Sequence, residues 1–258
     1  MILDTHTHYD DEAFNEDRDQ LLPALITNGI EKVINIGATL KSTQNTVELM
    51  EKYPFVYGAV GVHPEGVAEM TDESIDWLKE LCKYNKTVAV GEIGLDYYWD
   101  EPDKEIQKYW FRRQLQLAKE EKLPVVIHSR DAAKDTIDIM KEEHSEEIGG
   151  VIHCYSYAKE TAKIFLDMGF VFGIGGVITF KNAKKLKEAV EYIPMDAILL
   201  ETDCPYLAPE PYRGKRNNSL YLSHVVAKIA EIKGISTDKV EQITMENAMR
   251  VFPKLGFY

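Results

Sequence analysis

The chain has no long apolar run, no paired cysteines, no glycine-rich phosphate loop after its first strand pattern and no excess of positive charge. Each absence removes a class of function. Without a run of roughly 20 apolar residues there is no membrane-spanning helix to expect. Met1 leads straight into a strand pattern, with no basic segment followed by an apolar one, so no signal peptide is expected and the expected location is cytoplasmic. Cys82, Cys154 and Cys204 form neither a C-x-x-C pair nor an even disulfide framework, which suits a reducing compartment and small buried residues. Cys154 and Cys204 directly follow His153 and Asp203, and strand alternation is expected to turn both thiols to the opposite face. The formal net charge of −13 argues against affinity for nucleic acid over the whole surface, because attraction to phosphate supplies most of that affinity. A local basic patch or a metal-lined cleft remains compatible with it.

What is present is an alternation. Runs rich in Val, Ile, Leu, Ala and Gly predict strands at 2–7, 32–37, 56–62, 87–93, 124–128, 150–154, 170–174 and 197–201, a composition typical of parallel strands covered on both faces. Helical spacing of apolar residues falls between them, at 17–28, 44–52, 72–84, 104–121, 132–143, 159–168 and 183–192, with two closing helices at 220–233 and 238–251. There is no Pro, Gly or Ser-rich linker and no low-complexity stretch. Eight strand–helix units in strict alternation predict an α/β fold of one kind, a single (β/α)8 TIM barrel spanning residues 1–258 as one domain. A doubly wound open sheet is the second choice, weakened by the missing phosphate fingerprint.

The ionisable residues are placed non-randomly on this pattern. His6 and His8 end the first strand, with Asp4 one step back on the same face. His63 follows the third strand, Glu92 ends the fourth, His128 the fifth and His153 the sixth, and Glu201 and Asp203 close the eighth. Five of the seven histidines thus lie at carboxyl ends, which in a barrel converge on one mouth, while His144 and His224 fall in helical segments. Singly, each has a structural explanation as a core hydrogen bonder or a salt-bridge member; as a set they point to a hydrolytic site for one or two divalent ions. Imidazoles and carboxylates hold Zn²⁺, Mn²⁺ or Mg²⁺, which lower the pKa of bound water towards about 7. Two ions about 3.5 to 4 Å apart need a bridging ligand. Glu92, central in the set, is the natural bridge; Asp203 can ligate and also orient or deprotonate the water, with Glu201 supporting the ligands from behind. Basic groups lie near the same mouth: Arg130, and Arg213, Lys215 and Arg216 in the proline-containing loop after the eighth strand. Arginine matches phosphate through paired donors. Tyr97, Tyr98 and Trp99 either pack their loop down or stack on a base.

The stretches LDTHTH, GVHPE, VGEIGLDYYW, LPVVIHSRDA, IHCYS and ETDCPYLAPEPYRGKRN, running from residue 3 to 217, resemble the TatD family of metal-dependent hydrolases and deoxyribonucleases, within the amidohydrolase superfamily. The resemblance implies a TIM barrel, a divalent metal site and hydrolysis of DNA phosphodiesters, in some members as a 3′ to 5′ exonuclease that prefers single strands. It implies that His6, His8, Glu92 and Asp203 ligate one metal and Glu92, His128 and His153 the other. His63 and Arg130 would then sit beside the scissile phosphate and the Arg213 to Arg216 loop would hold the strand. Asn218 and Ser219 depart from the acidic residue and proline that often follow in the family, Cys204 stands where alanine is common, and no lysine ends strand four to act as a modified bridge. The expected activity is therefore a metal-dependent deoxyribonuclease acting on single-stranded DNA ends, without a membrane or an obligate protein partner. The alternative is a hydrolase of a small ester, lactone or amide on the same scaffold.

Overall fold

Strands buried along nearly their whole length organise the molecule. The computed structural model describes residues 1–256. The strands are β1 (Ile2–Thr7), β2 (Ile30–Ile36), β3 (Val56–Val60), β4 (Thr87–Asp96), β5 (Val125–Arg130), β6 (Gly150–Ile152), β7 (Val171–Ile174) and β8 (Ile198–Leu200). All neighbours pair in parallel in the order β1 to β8. The sheet closes on itself just past β8: the Asp203 N–H donates to the His6 carbonyl at 3.0 Å and the His8 N–H to the Cys204 carbonyl at 2.9 Å. Thr7 and Cys204 form the corresponding parallel bridge. This is the expected (β/α)8 barrel, and its closing seam lies inside the loop that carries Asp203.

The helices are α1 (Arg18–Thr27), α2 (Leu40–Lys52), α3 (Asp72–Cys82), α4 (Lys104–Glu121), α5 (Ala133–Glu142), α6 (Lys159–Asp167), α7 (Lys184–Tyr192), α8 (Leu222–Lys233) and α9 (Thr237–Val251). Each turns an apolar stripe to the barrel; in α4 it is Trp110, Phe111, Leu115 and Ala118. Helix α2 begins four residues before the expected Gln44, because the Thr39 hydroxyl accepts the Ser42 N–H and caps an extra turn. His144 lies just beyond α5 with a φ of 54°, not on a helix. Among the described residues no helix is long and apolar enough to cross a membrane.

Two strand ends differ from expectation in ways that shape the site. β4 continues three residues past Ile93, pairing Gly94 with His128, Leu95 with Ser129 and Asp96 with Arg130. Glycine is required for that approach: at φ 145°, an added Cβ at Gly94 would stand 1.9 Å from the His128 carbonyl oxygen. Conversely β6 and β8 stop early, so His153, Cys154, Glu201 and Asp203 lie just past their strands, with Cys154 at φ 45° and Asp203 at φ 59°. Alternation fails there. The Cys154 thiol, expected to face away, instead comes within 4.8 Å of ligand atoms of His153 and Asp203, whereas Cys204 is wholly buried.

Candidate metal centre

Alternation along β1 buries Asp4, His6 and His8 on one side of the strand. The His8 ring is fixed by its Nδ1–H, which donates to the Ile36 carbonyl at 3.0 Å, so Nε2 faces inwards, 3.1 Å from His6 Nε2. Glu92 on β4 lies between the two halves of the cluster. It presents Oε2 to His6 Nε2 at 3.3 Å and His8 Nε2 at 3.9 Å. Its Oε1 faces His128 Nδ1 at 2.8 Å, His153 Nε2 at 3.7 Å and His63 Nε2 at 3.8 Å. Asp203 Oδ1 completes the ring, 3.4 Å from His8 Nε2 and 3.7 Å from both His6 Nε2 and His153 Nε2.

The donor set fits divalent metal. Ligand atoms about 2.1 Å from one small ion in tetrahedral array stand about 3.4 Å apart, close to the spacings around Glu92 Oε2 and Asp203 Oδ1. Two imidazole Nε2 atoms in contact, beside two carboxylates and with no lysine or arginine between them, need a cation or shared protons in their midst. Residues His6, His8 and Asp203, and separately His63, Glu92 and His128, offer ligand atoms within 4.8 Å of one another. His63 differs from the other imidazoles: its Nδ1 accepts the Glu65 N–H at 3.2 Å, so the neutral ring carries its proton on Nε2 and points a donor, not a lone pair, at the site.

Electrostatics follow from burial set against this mutual pairing. Burial opposes ionisation of Glu92, but the His153, His6 and His128 imidazoles hold its carboxyl well below the usual range. Asp203 is likewise lowered against burial by the His8 hydrogen bond and by His153 and His6. Burial disfavours the charged forms of His8, His128 and His153, yet carboxylate partners raise all three to about 9: Asp203 for His8, Asp96 and Glu92 for His128, Glu201 and Glu92 for His153. Burial and the His128 charge push His63 down to about 3, and burial and His153 lower His6.

Three supporting contacts were not expected from the sequence. Asp96 Oδ2 lies 2.9 Å from His128 Nε2, so that ring is clamped between two carboxylates. The Glu92–Gly94–Asp96 spacing carries the same-face signal, but it becomes readable only once β4 is known to continue past Ile93. Asp4, also predicted as a supporting residue, is fully buried. It accepts from the Thr202 and Ser219 hydroxyls at 2.7 and 2.6 Å and from the Thr202 N–H at 3.0 Å, with burial raising its carboxyl to about 7. Ser219, one of the departures from the family pattern, thus ties the β8 loop to β1. Asn217 pins the same loop, donating to the Thr202 and Tyr206 carbonyls at 2.9 and 2.8 Å. Glu201 stands behind His153 as expected, with Oε1 3.1 Å from His153 Nδ1 and accepting the Cys154 N–H at 2.7 Å.

His8, His63, Glu92, Asp96, His128, His153 and Asp203 line a cavity of about 640 Å³ at the barrel mouth, together with Asp10, Asp11, Glu65, Trp99, Arg130 and Tyr206. Arg130 reaches the cavity, its guanidinium stacked 3.7 Å from the centre of the Tyr98 ring. The other three basic residues do not line it. Arg213 stacks on Phe180 at 4.3 Å, and Arg216 forms a two-pronged pair with Asp17 at 2.8 and 2.5 Å while donating to the Ala13 carbonyl. Lys215 is exposed on the same loop.

The profile of the family described as TatD related DNase matches residues 3–253. The chain is 44% identical to the uncharacterized metal-dependent hydrolase YabD of Bacillus subtilis, over 98% of this chain and 99% of that one. It is 35% identical to the uncharacterized metal-dependent hydrolase YcfH of Escherichia coli, over 98% and 96% respectively. The crystal structure of YjjV, a TatD homologue from Escherichia coli, superposes with a TM-score of 0.92 at 31% identity, covering 98% of each chain.

Proposed function

This chain belongs to the TatD family of metal-dependent hydrolases, and from that premise we propose that it is a deoxyribonuclease, removing nucleotides from single-stranded DNA ends in the 3′ to 5′ direction. The observation that carries the proposal is the placement of Glu92, whose Oε2 faces His6 and His8 while its Oε1 faces His128 and His153. In this reading His6, His8, Glu92 and Asp203 hold one divalent ion, and Glu92, His128 and His153 the other, whether Mg²⁺, Mn²⁺ or Zn²⁺. Bound there, such ions would supply Lewis acidity, polarising a phosphoryl oxygen and acidifying water. The protein's own groups do the rest. Asp203, anionic and aimed into the ring of ligands, orients the attacking water and takes its proton. The His63 Nε2–H and the Arg130 guanidinium donate to the phosphate oxygens on which charge develops. Burial of Glu92 and His6 keeps bulk water away from the ligand atoms.

End-labelled single-stranded DNA incubated with Mg²⁺ or Mn²⁺, and with a chelator, tests this directly. Stepwise shortening abolished by chelation is expected, as is a loss of about a thousandfold or more in turnover for both Glu92→Ala and Asp203→Asn, in line with removing groups that stabilise a transition state. Full activity in Glu92→Ala would refute its bridging role. A second reading, hydrolysis of a small ester, lactone or amide, draws support from one feature: Arg213, Lys215 and Arg216 stay off the cavity wall. A screen of uncharged esters and lactones with metal-loaded protein separates the two, since only this second reading expects turnover there.

A further inference from the structure

Resting on the phosphodiesterase reading above, we infer that the site takes a strand by its last nucleotide or two, binding one phosphate and one base, and not by an extended run of backbone. The charge around the mouth sets this limit. Among the described residues lining the cavity, Arg130 is the one lysine or arginine, so a single phosphate finds a fixed cationic partner there. Beyond it the surroundings are acidic. Asp10 and Asp11 lie beside Tyr206, and Glu65, Asp100 and Glu101 lie around Trp99, in a shallow depression that continues from the cavity. A second and third phosphate would face carboxylates, at a cost that grows as water is excluded. The nearby arginines offer no relief, because Arg216 is held by Asp17 and Arg213 covers Phe180.

Aromatic surface lies where the charge does not. Trp99 and Tyr206 line the cavity and are 51% and 56% exposed, so both rings offer open faces beside it. The Trp99 ring is braced edge-on by Tyr98 at 4.8 Å, and Tyr98 in turn carries the Arg130 guanidinium on its face. The Tyr206 hydroxyl is tethered to Asp11 Oδ2 at 3.0 Å, which fixes its ring. Arg130 and the Trp99 face therefore belong to one assembly, joined through the Tyr98 ring. Stacking tolerates any base, so the specificity expected is for an unpaired end and not for sequence.

The test compares a dinucleoside monophosphate, a single-stranded 20-mer and the baseless chromogenic diester bis(p-nitrophenyl) phosphate, all with metal-loaded protein. The expected result is a kcat/KM for the dinucleotide within about threefold of the 20-mer. For a single phosphate contact, raising salt from 50 to 200 mM should lower kcat/KM for the 20-mer by only about threefold, whereas four contacts would lower it about fiftyfold. Trp99→Ala should raise KM for the dinucleotide about tenfold with kcat nearly unchanged, and Trp99→Phe should restore it. A 20-mer cleaved thirtyfold better, with the steep salt dependence, would overturn the short-end inference while leaving phosphodiester cleavage intact. An unchanged KM in Trp99→Ala would overturn the stacking face. Failure to cleave any of the three would instead remove the phosphodiesterase reading beneath it.

Discussion

His128 shows what single residues contribute. One nitrogen meets Glu92 at 2.8 Å and the other meets Asp96 at 2.9 Å, so Asp96 fixes the ring's orientation and, in the proposed site, would decide that Nδ1 is the nitrogen left for a metal. Asp96→Asn keeps the shape but removes the charge, and metal affinity measured by calorimetry should fall about 10- to 100-fold. A second consequence concerns pH. In metal-free protein His8, His128 and His153 bind protons up to about pH 9, against the ordinary 6.5 of an exposed imidazole. The folded state therefore holds more protons than the unfolded one between those values. Its stabilisation is fully present below about pH 6.5 and is lost as pH rises through about 9. Thermal melts in chelator should show Tm falling across that window. With metal the trend should flatten or reverse, because metal must displace the same protons and binds more tightly as pH rises.

At the scale of elements, β7 supports the site through a side chain it lacks. A Cβ on Gly173 would stand 1.8 Å from Glu201 Oε2, so glycine there makes the space in which Glu201 backs His153. Gly173→Ala should destabilise by about 1–3 kcal/mol from overpacking and also weaken metal binding. Glu201→Ala in the same background should recover part of the stability, a non-additivity that a double-mutant cycle would read. Element ends show where sequence patterns stop being informative. The apolar runs locate all eight strands, but they cannot show that β4 persists to Asp96, because that depends on β5 accepting the close approach of Gly94. Nor can they show that β6 and β8 end early, which turns the Cys154 thiol towards His153 and Asp203.

At the scale of the whole molecule, the barrel gathers His6, Glu92, His128, His153 and Asp203 into one mouth from strands or loops far apart in sequence, and it closes through the same segment that carries Asp203. Under the proposed ligand set, metal bound there would link β1, β4, β5 and the ends of β6 and β8. At a metal concentration a hundredfold above Kd, binding should add about 2.7 kcal/mol. For a chain of this size chelation should then lower Tm by about 5–10 °C, measured by calorimetry at constant pH. An unchanged Tm on verified metal removal would contradict a site that spans the barrel.

The sequence by itself determined the alternation, and with it the barrel and the convergence of His6, His8, Glu92, His128, His153 and Asp203, because strand periodicity and carboxyl-end position are local properties. Tertiary structure decided which oxygen of Glu92 meets which imidazole, that Asp96 clamps His128, and that Ser219 reaches Asp4 across 215 positions of sequence. It also decided that Arg130 reaches the cavity while Arg216 is drawn to Asp17. A cationic residue near a strand end has several anions within reach of a flexible side chain. Which of them it meets depends on how the loops fold over one another, and no local pattern encodes that.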